Sequence, residues 1–293
     1  MHASSIAGEA IRAGLRRTAR AALTRVPVRG MHRFSRDVGP RLAPAHGTDR
    51  IRIGGVDFPI DHTNDTHRYI YYGAYEQETV RHMRDALRPG DVAIDGGANI
   101  GYITAEMAAS VGPTGHVYAF EPSRACHALL ARLAAQAGNI EIVAGAVSSR
   151  TGAGAFFDTE RVFTSGYGVL GDISKPPDAI PYDVPTWALD DFCAERGVAR
   201  LRYLKLDVEG SELAALRGAE RLLHTGSIDF VHVELSFGES DVGRTSDAAI
   251  AALLISAGYR PHRALRRGAL APIREASYRQ AGTRDIVWAR GQD

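Results

Sequence analysis

Runs of apolar residues alternate with amphipathic stretches along most of the chain after residue 90. Five short runs are continuously apolar and rich in branched and aromatic residues, which is typical of buried strands. They are DVAID, GHVYAFE, IEIVAGAV, RYLKLDV and DFVHVEL. The segments between them have apolar residues at three- and four-residue spacing, which predicts helices. They are SRACHALLARLAAQAG, WALDDFCAERG, SELAALRGAERLLHTG and AAIAALLISAGY. This alternation predicts an α/β fold with a largely parallel sheet that is covered by helices on both faces.

The pattern before residue 91 differs. RIRIGGVDFPI alternates apolar and polar residues around Gly54 and Gly55, which predicts a small hairpin. EQETVRHMRDAL, residues 76–87, predicts a helix that ends before Pro89. We therefore expect a hairpin and a cap helix over residues 51–90, followed by one large domain over residues 91–293.

Two later segments interrupt the alternation. Residues 152–185 are rich in Gly, Pro and aromatic residues and have no clear period. A segment of this length predicts a lid or substrate loop, or equally two short strands. The C-terminal stretch REASYRQAGTRDIVWAR predicts a hairpin that adds antiparallel strands at one edge of the sheet.

The first 50 residues form an arginine-rich extension, with ten arginines against three acidic residues. Ile11, Leu15, Ala19, Ala22 and Val26 recur at helical spacing, so a basic amphipathic helix is one interpretation. Such a helix would be a transit peptide or would make a peripheral contact with a membrane surface. The other interpretation is a solvated, partly disordered tail.

Composition narrows the class of protein. The 293 residues are 45% hydrophobic and 24% charged, as in soluble globular proteins. A formal net charge of +1 gives no electrostatic reason to expect a nucleic-acid partner. The two cysteines, Cys126 and Cys193, have no metal-ligand spacing, which favours a reducing cytoplasm. No apolar run approaches the roughly 20 residues of a membrane-spanning helix.

The stretch DVAIDGGANIGYIT, residues 91–104, carries the first chemical signal. Asp95 ends the first strand, and Gly96, Gly97 and Gly101 form the turn into the next helix. In open α/β sheets, ligands bind beyond the carboxyl ends of the strands near such a turn. Glycines there have no Cβ atom, so we expect a ligand to approach the backbone closely.

The glycine spacing distinguishes two ligands. Dinucleotide sites use G-x-G-x-x-G, in which the middle glycine lets the pyrophosphate approach, but Ala98 occupies that place here. S-adenosylmethionine has no phosphate, and its ammonium group suits an acid such as Asp95, directly or through water. The spacing Asp-x-Gly-x-x-x-Gly therefore favours S-adenosylmethionine.

The ends of the next two strands add to this interpretation. Glu121 closes GHVYAFE, where a carboxylate can accept hydrogen bonds from both ribose hydroxyls. NAD sites use an acid in the same way, so Glu121 alone does not discriminate. Ala146 and Val147, at the end of IEIVAGAV, are expected near the adenine by position alone.

The sequence resembles the FkbM family of class I methyltransferases over roughly residues 70–240. The resemblance rests on YEQETVRHMRDALRPGDVAIDGGANIGYIT, VYAFEPS, VPTWALDDF and especially YLKLDVEGSELAALRGAERLL. It implies a Rossmann-like class I methyltransferase fold with a seven-stranded, mostly parallel sheet and an antiparallel C-terminal hairpin. We predict that the catalytic domain spans residues 91–293, although no family motif is found beyond about Ser240.

The resemblance further implies an activity and a cofactor site. The activity is methyl transfer from S-adenosylmethionine to a hydroxyl oxygen of a sugar, a glycolipid or a secondary metabolite. The implied cofactor contacts are Glu76, Asp95, Gly97, Asn99, Gly101, Glu121, Pro122 and Asp207.

Candidate catalytic groups follow from the fourth and fifth strands. Lys205 and Asp207 share one face of YLKLDVEG, Glu209 follows at its carboxyl end, and Glu234 lies near the same edge on DFVHVEL. Asp207, Glu209 and Glu234 are oxygen ligands that could hold Mg²⁺ and activate a hydroxyl. Alternatively, one carboxylate acts as a general base without a metal, and Lys205 serves in catalysis or only pairs with an acid.

Two other functions compete with a methyltransferase. An NAD(P)-dependent oxidoreductase on a Rossmann-type fold is disfavoured by Ala98 and by the acidic end of the fourth strand. A non-catalytic cofactor-binding protein is disfavoured because Asp95 and Glu121 are both present.

Overall fold

The computed structural model divides the chain into two compact units, one ending at Gln77 and the other beginning at Glu78. The described residues are 2–25, 31–44, 47–158, 169–171, 179–235, 241–265, 267–274 and 285–290.

The first unit combines three helices, a hairpin and a fourth helix. Its elements are α1 (His2–Arg25), α2 (Met31–Asp37), α3 (Gly39–Leu42), β1 (Thr48–Ile53), β2 (Val56–Asp61) and α4 (Asp65–Tyr71). The described part of the arginine-rich extension is therefore largely helical. The predicted hairpin is confirmed, because Ile53 pairs with Val56 across Gly54 and Gly55, which both have positive φ. Such backbone suits the two-residue turns of hairpins.

The second unit alternates helices and strands. Up to residue 147 its elements are α5 (Gln77–Ala86), β3 (Val92–Gly96), α6 (Tyr102–Val111), β4 (His116–Phe120), α7 (Arg124–Ala137), β5 (Ile140–Val143) and β6 (Ala146–Val147). They continue with β7 (Gly152–Asp158), β8 (Val169–Leu170), β9 (Ile180–Trp187), α8 (Leu189–Glu195), β10 (Leu201–Leu206), α9 (Glu212–Arg217) and α10 (Glu220–His224). The last are β11 (Ile228–Glu234), α11 (Asp241–Ser256), β12 (Tyr259–Ala264), β13 (Leu270–Pro272) and β14 (Asp285–Arg290).

The main sheet has eight strands within the described ranges, in the order β13-β12-β14-β11-β10-β3-β4-β5. The five strands from β5 to β11 are parallel neighbours, which confirms the predicted α/β sheet. Successive residues of β3, β4 and β10 are buried, so these strands are covered on both faces. After β3 the chain continues to β4 on one side of it and later forms β10 on its other side. The strand order therefore reverses at β3, so the topological switch point lies beside the end of this strand.

The C-terminal part of the sheet differs from the sequence prediction. The sheet has eight strands rather than seven, because β12 and β13 form an antiparallel hairpin at the edge. The predicted hairpin over residues 274–290 is wrong in its position: β14 lies inside the sheet, antiparallel to both β11 and β12. Residues 275–284 of that stretch lie outside the described residues.

A second sheet, of order β6-β9-β7-β8, contains the described parts of residues 152–185. The long antiparallel pair β7–β9 corresponds to the alternative of two short strands. Residues 159–168 and 172–178, which the lid hypothesis includes, lie outside the described residues. The apolar run IEIVAGAV was predicted as one strand but is divided between the two sheets, as β5 and β6. A Cβ atom at Gly145, between them, would lie 2.6 Å from the carbonyl oxygen of Pro185.

The predicted helix SELAALRGAERLL is divided into α9 and α10 at Gly218. A Cβ atom at Gly218 would lie 2.0 Å from the carbonyl oxygen of Ser148. The chain therefore passes so close to a neighbouring segment that only glycine fits there. Gly218 and Ser148 are 70 positions apart in the sequence, so the helical spacing of apolar residues could not predict their contact.

Candidate active site

The turn after β3 is held against the end of β4. The backbone amides of Gly97 and Ala98 both donate to the carbonyl oxygen of Phe120, at 3.0 and 2.9 Å. Gly97 has φ of 81°, and a Cβ atom there would lie 1.9 Å from the carbonyl oxygen of Asp207. Close approach of the end of β10 therefore accounts for the glycine, independently of any ligand.

Gly101 also has a structural reason. It precedes α6 with φ of 85°, and a Cβ atom would lie 2.7 Å from Leu133 and 2.8 Å from Leu130 on α7. The space beside both glycines is thus filled by the protein's own atoms. Contact between the cofactor and the backbone at Gly97 and Gly101 stays a prediction.

Asp95 lies fully buried at the end of β3. Its Oδ2 accepts a hydrogen bond from the Thr104 hydroxyl at 2.6 Å, and its Oδ1 is 3.8 Å from Lys205 Nζ. Among the described residues, Oδ1 has no hydrogen-bond partner. A buried carboxylate oxygen with unused capacity suits a cationic or hydrogen-donating ligand group.

Glu121, at the end of β4, organises the glycine turn. Its Oε2 accepts from the backbone amide of Asn99 and its Oε1 from that of Ser123, both at 2.7 Å. Asn99 has a positive φ of 50°, which points its amide at the carboxylate. Pro122 was predicted to contact the cofactor. It is the residue between Glu121 and Ser123 in the sequence, which are joined by the second of these hydrogen bonds. Burial raises the pKa of Glu121 to about 7, although both amide hydrogen bonds act in the opposite direction.

Asp158 is a further polar residue at this end of β4, and sequence reasoning missed it. It is buried at the end of β7, where its Oδ2 accepts from the hydroxyls of Ser123 at 2.6 Å and Tyr182 at 2.8 Å. The Arg124 guanidinium lies 4.1 Å from the centre of the Tyr182 ring. These contacts fasten the second sheet to the residues that follow Glu121. The acid falls in a segment without periodicity, so no sequence signal identified it.

The carboxyl ends of β10 and β11 bring the predicted catalytic residues together. Lys205 is buried, and its Nζ donates to Asp207 Oδ2 at 3.1 Å. In register, Lys205 lies between Asp95 on β3 and His232 on β11. The pairing of Lys205 with acids, which the sequence left as an alternative to a catalytic role, is therefore present.

Asp207 and Glu234 form a carboxyl–carboxylate pair. Burial tends to raise the pKa of Asp207, but the Lys205 charge and hydrogen bonds from Glu234 and Lys205 outweigh it and lower the pKa. The pKa of Glu234 is raised to about 9 by burial and then by the charge of Asp207, to which it is hydrogen-bonded. At neutral pH Glu234 is therefore protonated and donates to the ionised Asp207.

Glu209 follows in a left-handed conformation with φ of 52°, which is rare for a residue other than glycine. Its pKa is raised to about 7, first by loss of solvent around the carboxyl group and then by Asp207 and Glu212, although the residue as a whole is exposed. Glu212 accepts from the amides of Val208 and Gly210 at 3.0 and 3.2 Å. Glu212 thus secures the turn into α9, where the side chain of the preceding Ser211 makes no capping hydrogen bond.

The predicted Mg²⁺ site is not assembled. Within the part of the chain that the structure describes, Asp207, Glu209 and Glu234 do not form a group whose ligand oxygens all lie within 4.8 Å of one another. Lys205 already binds Asp207 through its Nζ, and Glu234 is hydrogen-bonded to the same carboxyl group. A hard divalent cation would need these oxygens ionised and free.

Three predicted cofactor residues remain. Glu76 belongs to the first unit and has a positive φ of 41°. Val147 is buried in the main core, where a Cβ atom at Gly96 would lie 3.3 Å from its methyl group. Ala146 packs with Phe156 and Val184 in a separate small cluster. Their proximity to a bound cofactor stays a prediction.

Comparison with known proteins found several solved methyltransferase structures of low similarity. The FkbM methyltransferase of Methylobacillus flagellatus KT is 16% identical, with 76% of this chain and 54% of that chain covered and a TM-score of 0.43. Fibrillarin of Aeropyrum pernix with bound S-adenosyl-L-methionine is 15% identical (69% and 67% covered, TM-score 0.38). A SAM-dependent O-methyltransferase of Thermotoga maritima is 13% identical (74% and 65% covered, TM-score 0.37). This chain thus spans about half the length of the M. flagellatus protein.

Sequence comparison assigns the family. A search of curated protein sequences finds no match to this chain. The family model of the methyltransferase FkbM domain matches residues 95–261, which is more than half of the 293 residues. The match begins at the buried Asp95 and includes Glu121 and the acidic ends of β10 and β11. The chain therefore belongs to the FkbM family of S-adenosylmethionine-dependent methyltransferases.

Proposed function

We propose that this protein transfers a methyl group from S-adenosylmethionine to a hydroxyl oxygen of a sugar, a glycolipid or a secondary metabolite. The observation that carries the proposal is the position of Glu209. Glu209 lies in a left-handed turn three residues after β10, close behind Lys205 and Asp207, and loss of solvent around its carboxyl group raises its pKa to about 7. Strained backbone at such a turn is a recognised feature of functional residues.

The residues around the glycine turn fit S-adenosylmethionine. Asp95 would attract the ammonium group, directly or through water, with the carboxylate charge that also faces Lys205. Glu121 would accept hydrogen bonds from the ribose hydroxyls, because each of its oxygens has a second lone pair beyond the one that binds a backbone amide. When bound, S-adenosylmethionine would supply an electrophilic methyl group, and the electron pair of the broken S–C bond would stay on the sulfur.

The chain's own part in the reaction is proton transfer and alignment. As the acceptor oxygen bonds to the methyl carbon, its O–H bond breaks and the proton passes to the Glu209 carboxylate. A base with a pKa near the working pH is best suited to this step. Asp207 is a weaker base because Lys205 and Glu234 stabilise its ionised form, and Glu234 is already protonated at neutral pH. The proposed reaction therefore uses Glu209 as the general base and no metal.

The cofactor assignment is tested by calorimetric titration of the full chain with S-adenosylmethionine and, in parallel, with NAD(H). We expect binding of S-adenosylmethionine alone. Binding of NAD(H) instead, or of neither compound, would overturn the function proposed here.

The catalytic assignment is tested by transfer of a labelled methyl group to a panel of methyl glycosides and hydroxylated lipids. We expect Glu209→Gln to lower kcat by about 100-fold or more while binding of S-adenosylmethionine is retained, because a general base contributes roughly 10²–10⁴-fold. The wild-type rate should rise with pH through about 7, since Glu209 must be ionised. Glu220→Gln, an exposed change on α10, is the matched control. If Glu209→Gln leaves the rate of methyl transfer unchanged, Glu209 is excluded as the general base.

A further inference from the structure

The outward face of α1 is apolar. Ile11 and Leu15 are 65% and 55% exposed, although both are large aliphatic residues. They lie one helical turn apart, and the exposed residues Thr18 and Ala22 continue the same face. We call these four residues the α1 stripe. The stripe runs along three turns of the helix in contact with solvent.

The inward face of the same helix is charged. Arg16 is buried, with its Nε donating to Asp49 at 3.0 Å and an amino group donating to the carbonyl oxygen of Leu42 at 2.8 Å. Arg20 lies over the ring of Tyr71, with its guanidinium carbon 5.5 Å from the ring centre. An ordinary surface helix does the reverse and buries its aliphatic residues. The α1 stripe is therefore not needed to hold α1 on its own unit and is available to a partner.

The charge around the stripe indicates the kind of partner. Between His2 and Arg25 the helix has five arginines and one acid, Glu9. At 100° per residue, Arg12 lies about 90° to one side of the stripe's centre and Arg17 about 130° to the other side, and both are exposed. Arg12 also pairs with Glu9 at 2.9 Å, but its side chain stays 46% exposed. Long arginine side chains can bend toward a charged surface while the helix face beside them is buried.

We propose that the α1 stripe docks this protein on the surface of membranes that contain anionic lipids. Ile11 and Leu15 enter the boundary between headgroups and acyl chains, and Arg12 and Arg17 reach lipid phosphates on either side. An aliphatic face flanked by arginines is the arrangement of helices that lie in the membrane interface. Contact of this kind needs no membrane-crossing helix, and within the described residues none is long and apolar enough to be one.

The test is flotation of the full chain with vesicles of phosphatidylglycerol and phosphatidylcholine. We expect the double variant Ile11→Ser, Leu15→Ser to lower the partition coefficient by about tenfold or more, because two exposed aliphatic side chains no longer leave water. Ile180→Ser removes an aliphatic residue that is 51% exposed on β9 and should change nothing. An unchanged coefficient for the double variant would overturn the proposal.

The charge requirement is tested separately. Arg12→Gln with Arg17→Gln should weaken binding to the anionic vesicles, and added salt should weaken wild-type binding. Equal binding to vesicles of phosphatidylcholine alone would contradict the role of the arginines. Sedimentation velocity without lipid tests whether the stripe instead binds a second copy of the protein. If the wild type is a dimer and the double serine variant is a monomer, the stripe is a dimer interface and the membrane proposal is overturned. Neither outcome depends on methyl transfer, so this proposal and the catalytic one fail independently.

Discussion

Glu121 holds the backbone of the glycine turn and is also proposed to bind the ribose of the cofactor. Its two oxygens already bind the amides of Asn99 and Ser123, and burial raises its pKa to about 7. Ionisation strengthens every hydrogen bond that the carboxylate accepts. Ligand binding at this residue should therefore depend on pH.

At this scale we expect Glu121→Gln to weaken S-adenosylmethionine binding roughly 10- to 100-fold, because hydrogen bonds to a charged group contribute about 1.5–3 kcal/mol. Wild-type affinity should increase as the pH rises from about 6 to 8, whereas the affinity of the variant should stay constant. Calorimetry at three pH values measures both effects. Glu195→Gln, an exposed change at the end of α8, controls for loss of charge. A variant that binds as tightly as wild type would remove Glu121 from the site.

Sequence was informative about residues that end apolar strands. Asp95, Glu121, Asp207 and Glu234 could be located because each is an acid at the end of a recognisable strand. Asp158 and Tyr182 could not, because their strands lack periodicity and their contacts join positions 24 residues apart. Sequence also located the three candidate metal ligands, but not their separation in the fold, where their oxygens do not all lie within 4.8 Å of one another.

At the scale of elements, the meeting of β3 and β10 depends on Gly97. Its absent Cβ atom would lie 1.9 Å from the Asp207 carbonyl oxygen, so the turn carries a steric as well as a conformational requirement. Sequence located the turn but assigned the glycine to the ligand. The approach of another strand, 110 residues later in the chain, is not visible in the local pattern.

We expect Gly97→Ala to lower the free energy of unfolding by about 3 kcal/mol or more, since overpacking adds about 1–3 kcal/mol to the roughly 1–2 kcal/mol of left-handed strain. Gly197→Ala is the matched control. Gly197 also has a positive φ, 65°, but an added Cβ atom there meets nothing within 4 Å. Chemical denaturation measures how much unfolding free energy each variant loses, and Gly197→Ala shows the cost of left-handed strain alone. An equal loss in the two variants would contradict the steric explanation for Gly97.

At the scale of the whole molecule, buried titratable groups set the pH dependence of stability. Burial lowers the pKa of His62, His67 and His82 to about 4 from the usual 6.5. The unfolded chain therefore binds more protons between pH 4 and 6.5, and stability is lost as the pH falls through this window. The pKa values of Glu121 and Glu209 are instead raised to about 7, and that of Glu234 to about 9. The folded state then binds more protons, and stability is lost as the pH rises toward these values.

These opposite slopes nearly cancel between about pH 4.5 and 6.5, and above this range only the decline remains. Scanning calorimetry without ligand should show a lower melting temperature at pH 9 than at pH 6.5. Glu234→Gln should flatten the decline between pH 7 and 9, because the amide cannot ionise, whereas Glu195→Gln should not. A melting temperature that rises steadily up to pH 9 would contradict the raised pKa of Glu234.

Sequence predicted the parallel part of the large sheet because its strands and helices alternate locally. It did not predict that β14 lies between β11 and β12, since that position depends on pairing across 51 or more residues of chain rather than on any local period. The outward-facing stripe of α1 was also hidden. Helical spacing identified Ile11 and Leu15, but the burial of Arg16 decides which face points to solvent.

The interior position of β14 has a consequence for synthesis on the ribosome. β14 follows every other described strand in the sequence, yet it pairs with β11 on one side and with β12 on the other. Until residues 285–290 have emerged, β11 and β12 each lack the strand that pairs with them in the folded protein. Unpaired strand edges invite pairing with other chains. Completion of the sheet, and protection of these two edges from aggregation, therefore depends on a strand that is made after both of its partners.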